Sequence, residues 1–151
     1  MQRLRTSPTA RRAFGALVAI GVALGLTGLV ATPAQAAYTR SFNVVSYDHG
    51  SASGTVNFTG RFSYTVDAYI YRDSNASVTL KICYWHWSQE IISWHWDGCN
   101  QASAGYPGTT RHVTNLGKSG HWADIGVVTA ELWVNGTQID NDWIYNPYVV
   151  H

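Results

Sequence analysis

Apolar and β-branched residues alternate with polar residues in short runs along most of the chain after residue 36. This period of two, with Gly, Asn, Asp and Ser between the runs, is typical of β-strands that bury one face. No sustained helical spacing of apolar residues appears there. The predicted strands span 40–47, 54–59, 61–71, 77–87, 93–97, 111–116, 122–134 and 137–145, and the second and third can be read as one strand broken at Gly60.

About eight short strands without a helix predict an all-β fold, an antiparallel β-sandwich of immunoglobulin-like or similar type. A small barrel is the alternative architecture. Asn135-Gly136 lies between LWV and TQI and predicts a tight hairpin, because both central residues of a type I′ turn need positive φ. Pro147 ends the last strand because its nitrogen cannot donate a hydrogen bond to a neighbouring strand.

The first 36 residues follow a different pattern. Four arginines precede a long uncharged run at 13–30, and the small residues Ala34 and Ala36 flank Gln35. This layout predicts a secretory signal peptide cleaved after Ala36, with a membrane anchor as the alternative. The pair Arg11-Arg12 leaves the export route open between the general secretory and twin-arginine systems. We therefore expect a secreted protein with a single domain at 37–151.

Removal of that segment changes the charge of the protein. The whole chain has a formal net charge of +1, whereas the six basic and nine acidic residues after Ala36 give −3. An acidic surface without a basic cluster argues against nucleic acid and against anionic membranes as partners. We also predict no cofactor.

The chain has two cysteines, Cys83 and Cys99. Two cysteines in a small exported domain usually pair, so we predict a disulfide. In the chain-entropy model, closing a loop of this length stabilises the fold by about 3 kcal/mol.

The segment between the cysteines reads CYWHWSQEIISWHWDGC. If the cysteines are directly opposed on antiparallel strands, side-chain alternation divides the four tryptophans between the two faces. We expect the disulfide, Trp85 and Trp87 on the core side. The exposed candidate binding residues are then Tyr84, His86, Trp94 and Trp96. A β-bulge in the turn SQEIIS would instead bring all four tryptophans to one face.

An exposed aromatic row has two interpretations. Cross-strand aromatic pairs stabilise a hairpin without any ligand. Alternatively, an exposed apolar patch with polar tips is a contact surface, on which a partner protein or a sugar ring can lie.

The N-terminal segment AYTRSFNVVSY precedes the Gly- and Ser-rich DHGSASG. Its β-prone sequence fits the first strand of the sandwich. It also fits a strand that leaves the body and pairs with a partner, with Tyr38 and Phe42 as contact residues.

Catalytic and metal-binding patterns are weak. The six histidines show no metal-ligand spacing, so we predict no metal site. Asp140 and Asp142 share one side of a strand but lack the loop that a calcium site needs. Glu131 and Asp140, opposed across the Asn135-Gly136 hairpin, could supply the carboxylate pair of a small hydrolase. No nucleophile motif accompanies them, so we predict no catalytic residues.

The mature chain resembles small exported proteins of actinobacteria, on the segments GTVNFTGRFSYTV and IYNPYV together with the predicted leader and single disulfide. Some of these are adaptor subunits of umbrella-shaped antibacterial toxin particles. The resemblance implies a sandwich domain that joins a lectin subunit to a toxin stalk, partly through an extended N-terminal segment. The leading hypothesis is therefore a secreted, non-catalytic module that binds another secreted protein. The alternatives are a carbohydrate-binding module and a small secreted hydrolase.

Overall fold

The computed structural model describes residues 37–149, which form two antiparallel four-stranded sheets. The predicted signal peptide lies outside these residues. The strands are β1 Tyr38–Ser46, β2 Gly50–Phe58, β3 Tyr64–Arg72, β4 Val78–Ser88, β5 Ser93–Ser103, β6 Thr109–Val113, β7 Val127–Val134 and β8 Thr137–Tyr145. Residues 37–149 include no helix that could span a bilayer.

The strand order is β1-β2-β3-β6 in the first sheet and β5-β4-β7-β8 in the second. Strands such as β3 alternate buried and exposed residues, whereas β7 is buried along nearly its whole length. The inner faces of the two sheets share one apolar core. Its largest fully buried side chains include Phe58, Tyr64, Ile70, Leu80, Ile82 and Leu132. The sandwich prediction is confirmed, and the structure has two open sheets rather than a barrel.

Most of the predicted strands occur close to their expected positions, with two informative differences. The predicted strand at 122–134 begins only at Val127, and the preceding loop covers one end of the sandwich. The break at Gly60 is real, because 59–63 form a bend before β3. Tyr64 then pairs with Lys118 of the covering loop through two backbone hydrogen bonds of 2.8 and 2.9 Å. The covering loop therefore pairs with the start of β3, beyond the end of β6.

Two side-chain amides, one buried and one half-buried, hold the loops against the sheets. The side-chain amide of Asn146 donates to the carbonyls of Gly60 and Ile125 at 3.0 and 2.7 Å. The amide of Asn100 donates to the carbonyl of Gly117 at 2.8 Å. Buried backbone carbonyls need such donors, so these two side chains fix the covering loop on the sandwich.

The core contains one phenol without a hydrogen-bond partner. The hydroxyl of Tyr64 is buried and has no partner among the described residues. Burial, and then the nearby phenol of Tyr84, raises the pKa of Tyr64 above its ordinary range. The neutral phenol is therefore strongly favoured in the folded protein.

Candidate binding face

The disulfide is present, but it lies on the outer face of its sheet rather than in the core. Cys83 of β4 is directly opposite Cys99 of β5. The core side of β4 carries Leu80, Ile82 and Tyr84, so Cys83 points the other way. Our expectation that the disulfide lies in the core is wrong, because β4 fills its inner face with aliphatic side chains and Tyr84.

A β-bulge decides where the tryptophans of this hairpin point. Tyr84 pairs with Gly98, but Trp85 then pairs with Trp96, so Asp97 is the extra residue of β5. Gly98 has a φ of 145°, and a Cβ atom there would lie 3.0 Å from the hydroxyl of Tyr84. The bulge sits beside this glycine, and not in the turn SQEIIS. As in the alternative that we considered, all four tryptophans share one face.

A second bulge acts in the same way in the β7–β8 hairpin. The Asn135-Gly136 turn is confirmed by φ values of 49° and 82°. Two residues later the pairing shifts, with Ile139 as the extra residue. The shift turns Trp143 and Tyr145 to the same side as Trp133. Without it, alternation would place these two rings on the opposite side.

The two bulges together collect six of the seven tryptophans on the outer face of β5-β4-β7-β8. We call this surface the tryptophan face. Its aromatic members are Trp85, Trp87, Trp94, Trp96, Trp133, Trp143 and Tyr145. Four of these rings are exposed, among them Trp96 at 54% and Trp143 at 43%.

A hydrogen-bonded chain runs beneath the rings. The indole nitrogen of Trp85 donates to the hydroxyl of Thr129 at 3.3 Å, which donates to Glu131 at 3.1 Å. The other oxygen of this buried carboxylate accepts from the indole nitrogen of Trp133 at 2.9 Å. The Nζ atom of Lys81 lies 3.4 Å from the centre of the Trp133 ring, a cation–π contact. These contacts hold the rings of Trp85 and Trp133 in fixed orientations.

The rings do not form a coplanar row. Trp85 and Trp143 are tilted by 30°, whereas Trp87 and Trp94 meet at 81°. The indole N–H of Trp96 is directed at the sulfur of Cys99 at 3.3 Å. The nitrogens of Trp85, Trp96 and Trp133 therefore already have acceptors within the face.

The predicted binding residues do not all lie on this surface. Trp94 and Trp96 do, together with Trp85 and Trp87, which we had expected inside. Tyr84 is only 9% exposed and packs in the core, where its ring lies 5.2 Å from that of His121. The expectation that Tyr84 is exposed is wrong. Tyr84 is two residues from Ile82 along β4, so both side chains point to the core.

The N-terminal candidates belong to the first sheet. Tyr38 and Phe42 lie on β1, which pairs with β2 along nine residues. Phe42 is buried in the core, and Tyr38 is partly exposed beneath the guanidinium of Arg40. Of our two interpretations, this structure places the segment as the first strand of the sandwich.

His86 lies on the inner side of β4, at the end of the sandwich. Its Nδ1 donates to both carboxylate oxygens of Asp97, at 2.8 and 3.0 Å. The Nε2 of His121 lies 3.8 Å from the same buried carboxylate, and the exposed ring of Trp122 covers both histidines. This cluster holds the bulge residue Asp97, and so supports the tryptophan face from behind.

The expected carboxylate pair is not formed. Glu131 is opposite Asn141 and faces outward, whereas Asp140 faces β1 and accepts from the backbone nitrogen of Val45 at 2.9 Å. The prediction that Glu131 and Asp140 are opposed is wrong, because the bulge at Ile139 shifts the register by one residue. Within 37–149, no three His, Cys, Asp or Glu side chains are grouped as metal ligands.

A cavity of about 400 Å³ opens beside His86, at the end of the tryptophan face. Arg61, Trp87, Gln89 and Asp124 also line it, and Arg61 forms an ion pair with Asp124. Among the described residues that line this cavity, none is a serine, threonine or cysteine that could act as a nucleophile next to the His86–Asp97 pair.

Trp133, Trp143 and Tyr145 were not predicted as members of the candidate site. The available signal was the alternation of aromatic residues in β7 and β8. In a regular hairpin without the bulge, however, Trp133 would lie on the opposite face from Trp143 and Tyr145.

Comparisons with known proteins add nothing to this geometry. No protein-family model matches the chain, and neither a curated protein nor a solved structure does so.

Proposed function

We propose that this protein is an exported, non-catalytic interaction module that binds a partner protein through its tryptophan face. The observation that carries the proposal is the collection of six tryptophans on one sheet face by two bulges. Tryptophan and tyrosine are enriched at the centres of protein interfaces, where charged residues are depleted. Among residues 37–149, the only charged side chains on this face are Lys81 and Glu131, and both contact Trp133.

The geometry favours a protein over a sugar as the partner. A sugar-binding platform needs ring faces that a flat ligand can lie on, and free polar groups beside them for its hydroxyls. Here the neighbouring rings meet at up to 81°, and the polar groups of Trp85, Thr129, Glu131 and Trp133 are engaged with one another. A partner protein can follow such an uneven apolar surface with its own side chains.

Pre-organisation supports the same proposal. Binding usually costs free energy because interface side chains lose their rotational freedom. The hydrogen-bonded chain under the tryptophan face fixes the rings of Trp85 and Trp133 in the free protein, so that part of this loss occurs on folding. The resemblance to toxin-particle adaptors is consistent with a protein-binding role and extends the proposal to assembly of an exported complex.

The decisive experiment compares two exposed rings on opposite sheets. Trp96 is 54% exposed on the tryptophan face, and Tyr69 is 50% exposed on the outer face of β3. The mature protein, immobilised in the wild-type form and as Trp96→Ala and Tyr69→Ala, is incubated with culture supernatant of the producing organism. We expect a stoichiometric protein, identified by mass spectrometry, whose retention falls at least tenfold in Trp96→Ala and is unchanged in Tyr69→Ala.

Two outcomes would contradict the proposal. Equal retention by all three proteins would show that the tryptophan face is not the binding surface. Saturable quenching of tryptophan fluorescence by a soluble polysaccharide, abolished in Trp96→Ala, would assign the face to glycan binding instead.

A further inference from the structure

The turn between β4 and β5, residues 89–92, has a backbone conformation that its sequence does not favour. We call it the hairpin tip. Ile92 has a φ of 48°, in the left-handed region where a β-branched side chain crowds the backbone. In the β7–β8 turn, the two left-handed positions are occupied by Asn135 and Gly136, which adopt this conformation readily. The hairpin tip therefore has a strained residue, Ile92, at its left-handed position, whereas the other hairpin of the same sheet has residues that tolerate this conformation.

Packing within the protein does not explain this choice. Ile91 is 57% exposed and Ile92 is 77% exposed, so neither contributes much to the core. A residue that strains the backbone and leaves its apolar side chain in water destabilises the free protein twice. Backbone strain of this kind is concentrated at functional sites. The hairpin tip also continues the tryptophan face, because Trp87 and Trp94 form the last aromatic pair before it.

We propose that the hairpin tip is the apolar anchor of the partner-binding surface. Ile91 and Ile92 insert into a concave apolar pocket of the partner protein, and the tryptophan face packs on the wall of the same concavity. This inference rests on the proposed function and adds a specific chemistry to the partner: a pocket lined by aliphatic or aromatic side chains. In the free protein both isoleucines are exposed and contribute little hydrophobic free energy. Their burial in that pocket would therefore stabilise the complex.

The geometry favours a protein over a membrane as the occupant. The hairpin tip lies at the end of the strands, whereas the tryptophan face runs parallel to them. A flat bilayer that receives the tip would leave most of the face uncovered, but a concave protein surface can cover both. Glu90 within the tip and the formal charge of −3 after residue 36 also disfavour an anionic lipid surface.

Site-specific photo-crosslinking tests the contact directly. A p-benzoylphenylalanine residue replaces Ile92, Trp96 or, as a matched control, Tyr69, which is 50% exposed on β3 of the other sheet. Each mature protein is irradiated in culture supernatant, and adducts are identified by mass spectrometry. We expect positions 92 and 96 to label the same protein and position 69 to label none.

The outcomes separate this inference from the proposed function. Labelling from position 96 without labelling from 92 would overturn the anchor and leave the proposed function standing. No labelling from either 92 or 96 would contradict the proposed function itself, and labelling from 92 alone would overturn the inference that both regions contact one partner. Equal labelling from 92 and 69 would show that any exposed position reacts, and would also overturn the anchor.

A substitution gives a second, independent test. Asparagine tolerates positive φ, so Ile92→Asn should raise the melting temperature by about 2–5 °C. The same substitution should lower labelling from position 96 at least tenfold, whereas Tyr69→Asn on the other sheet should leave labelling unchanged. A lower melting temperature in Ile92→Asn would overturn the inference, because Ile92 would then serve stability. Sedimentation with phosphatidylcholine–phosphatidylglycerol vesicles, lost in Ile92→Asn, would assign the tip to a membrane and also overturn it.

Discussion

The two sheets of this sandwich have similar inner faces and very different outer faces. On β1-β2-β3-β6 the outward positions are mostly hydroxyl and amide side chains, such as Ser53, Thr55 and Asn57, and none is a tryptophan. On β5-β4-β7-β8 the outward positions include six tryptophans. Side chains point alternately to the two faces in both sheets, so the same strand geometry produces two chemically distinct outer surfaces.

This difference separates positions that the fold requires from positions that folding alone does not explain. The polar outer face leaves its sheet solvated and needs no further explanation. The tryptophan face keeps large rings in contact with water, at positions where a polar side chain would complete the same sandwich. The two faces also differ in construction, because the pairs within β1-β2-β3-β6 contain no register shift and those within the other sheet contain two.

Deleting one residue from each sheet should give the largest difference in stability between the two sheets. Deletion of Thr55 from the regular strand β2 reverses the direction of Val56 and Phe58, which are fully buried, so we expect no folded protein. Deletion of the bulge residue Ile139 only regularises β8 and should cost about 1–2 kcal/mol. Circular dichroism and urea unfolding measure both. A folded ΔThr55 protein would contradict the account of register.

The disulfide links β4 to β5, within the sheet that carries the tryptophan face. Replacing both Cys83 and Cys99 by Ala should lower the free energy of unfolding by about 3 kcal/mol, because the unfolded chain gains loop entropy. Urea denaturation measures the loss, and reduction of the wild-type protein by dithiothreitol serves as the control. A loss well below 1 kcal/mol would mean that the bridge does not stabilise the sheet.

The two faces also differ in how their carboxylates are used. Glu131→Ala leaves the Trp133 indole nitrogen and the Thr129 hydroxyl without an acceptor, so we expect a loss of about 2–3 kcal/mol. Asp67→Ala on the polar face removes an exposed contact with His112 and should cost less than about 0.5 kcal/mol. Thermal unfolding distinguishes the two, and similar losses would contradict a supporting role for the buried chain.

The smallest effect is expected in the core that both sheets share. Tyr64→Phe removes a buried hydroxyl without a partner and should stabilise the protein by about 0.5–1 kcal/mol. Because the folded-state pKa of Tyr64 is raised, its contribution to stability is complete below about pH 10 and is lost as the pH rises further. The wild-type protein should therefore lose stability above that pH more steeply than Tyr64→Phe. Parallel slopes in alkaline urea titrations would be inconsistent with a buried neutral phenol.

Much of the fold was predictable from local sequence. The alternation of apolar residues identified most strands, as in β3 and β8, and Asn135-Gly136 identified the hairpin through its need for positive φ. The pairing of Cys83 with Cys99 followed from their number and the expected export. Trp94 and Trp96 were placed on the correct outer face, although the register used to place them lacked the bulge at Asp97.

The sequence by itself determined a two-faced all-β sandwich with a tryptophan-rich hairpin, because a period of two is a local property of each strand. Only the tertiary structure decided that six tryptophans share one face. An extra residue in β5 or β8 can either turn all later side chains of the strand to the opposite face or be absorbed in a β-bulge. That choice depends on what the opposite face must bury, here Tyr84 and Ile144 against the other sheet.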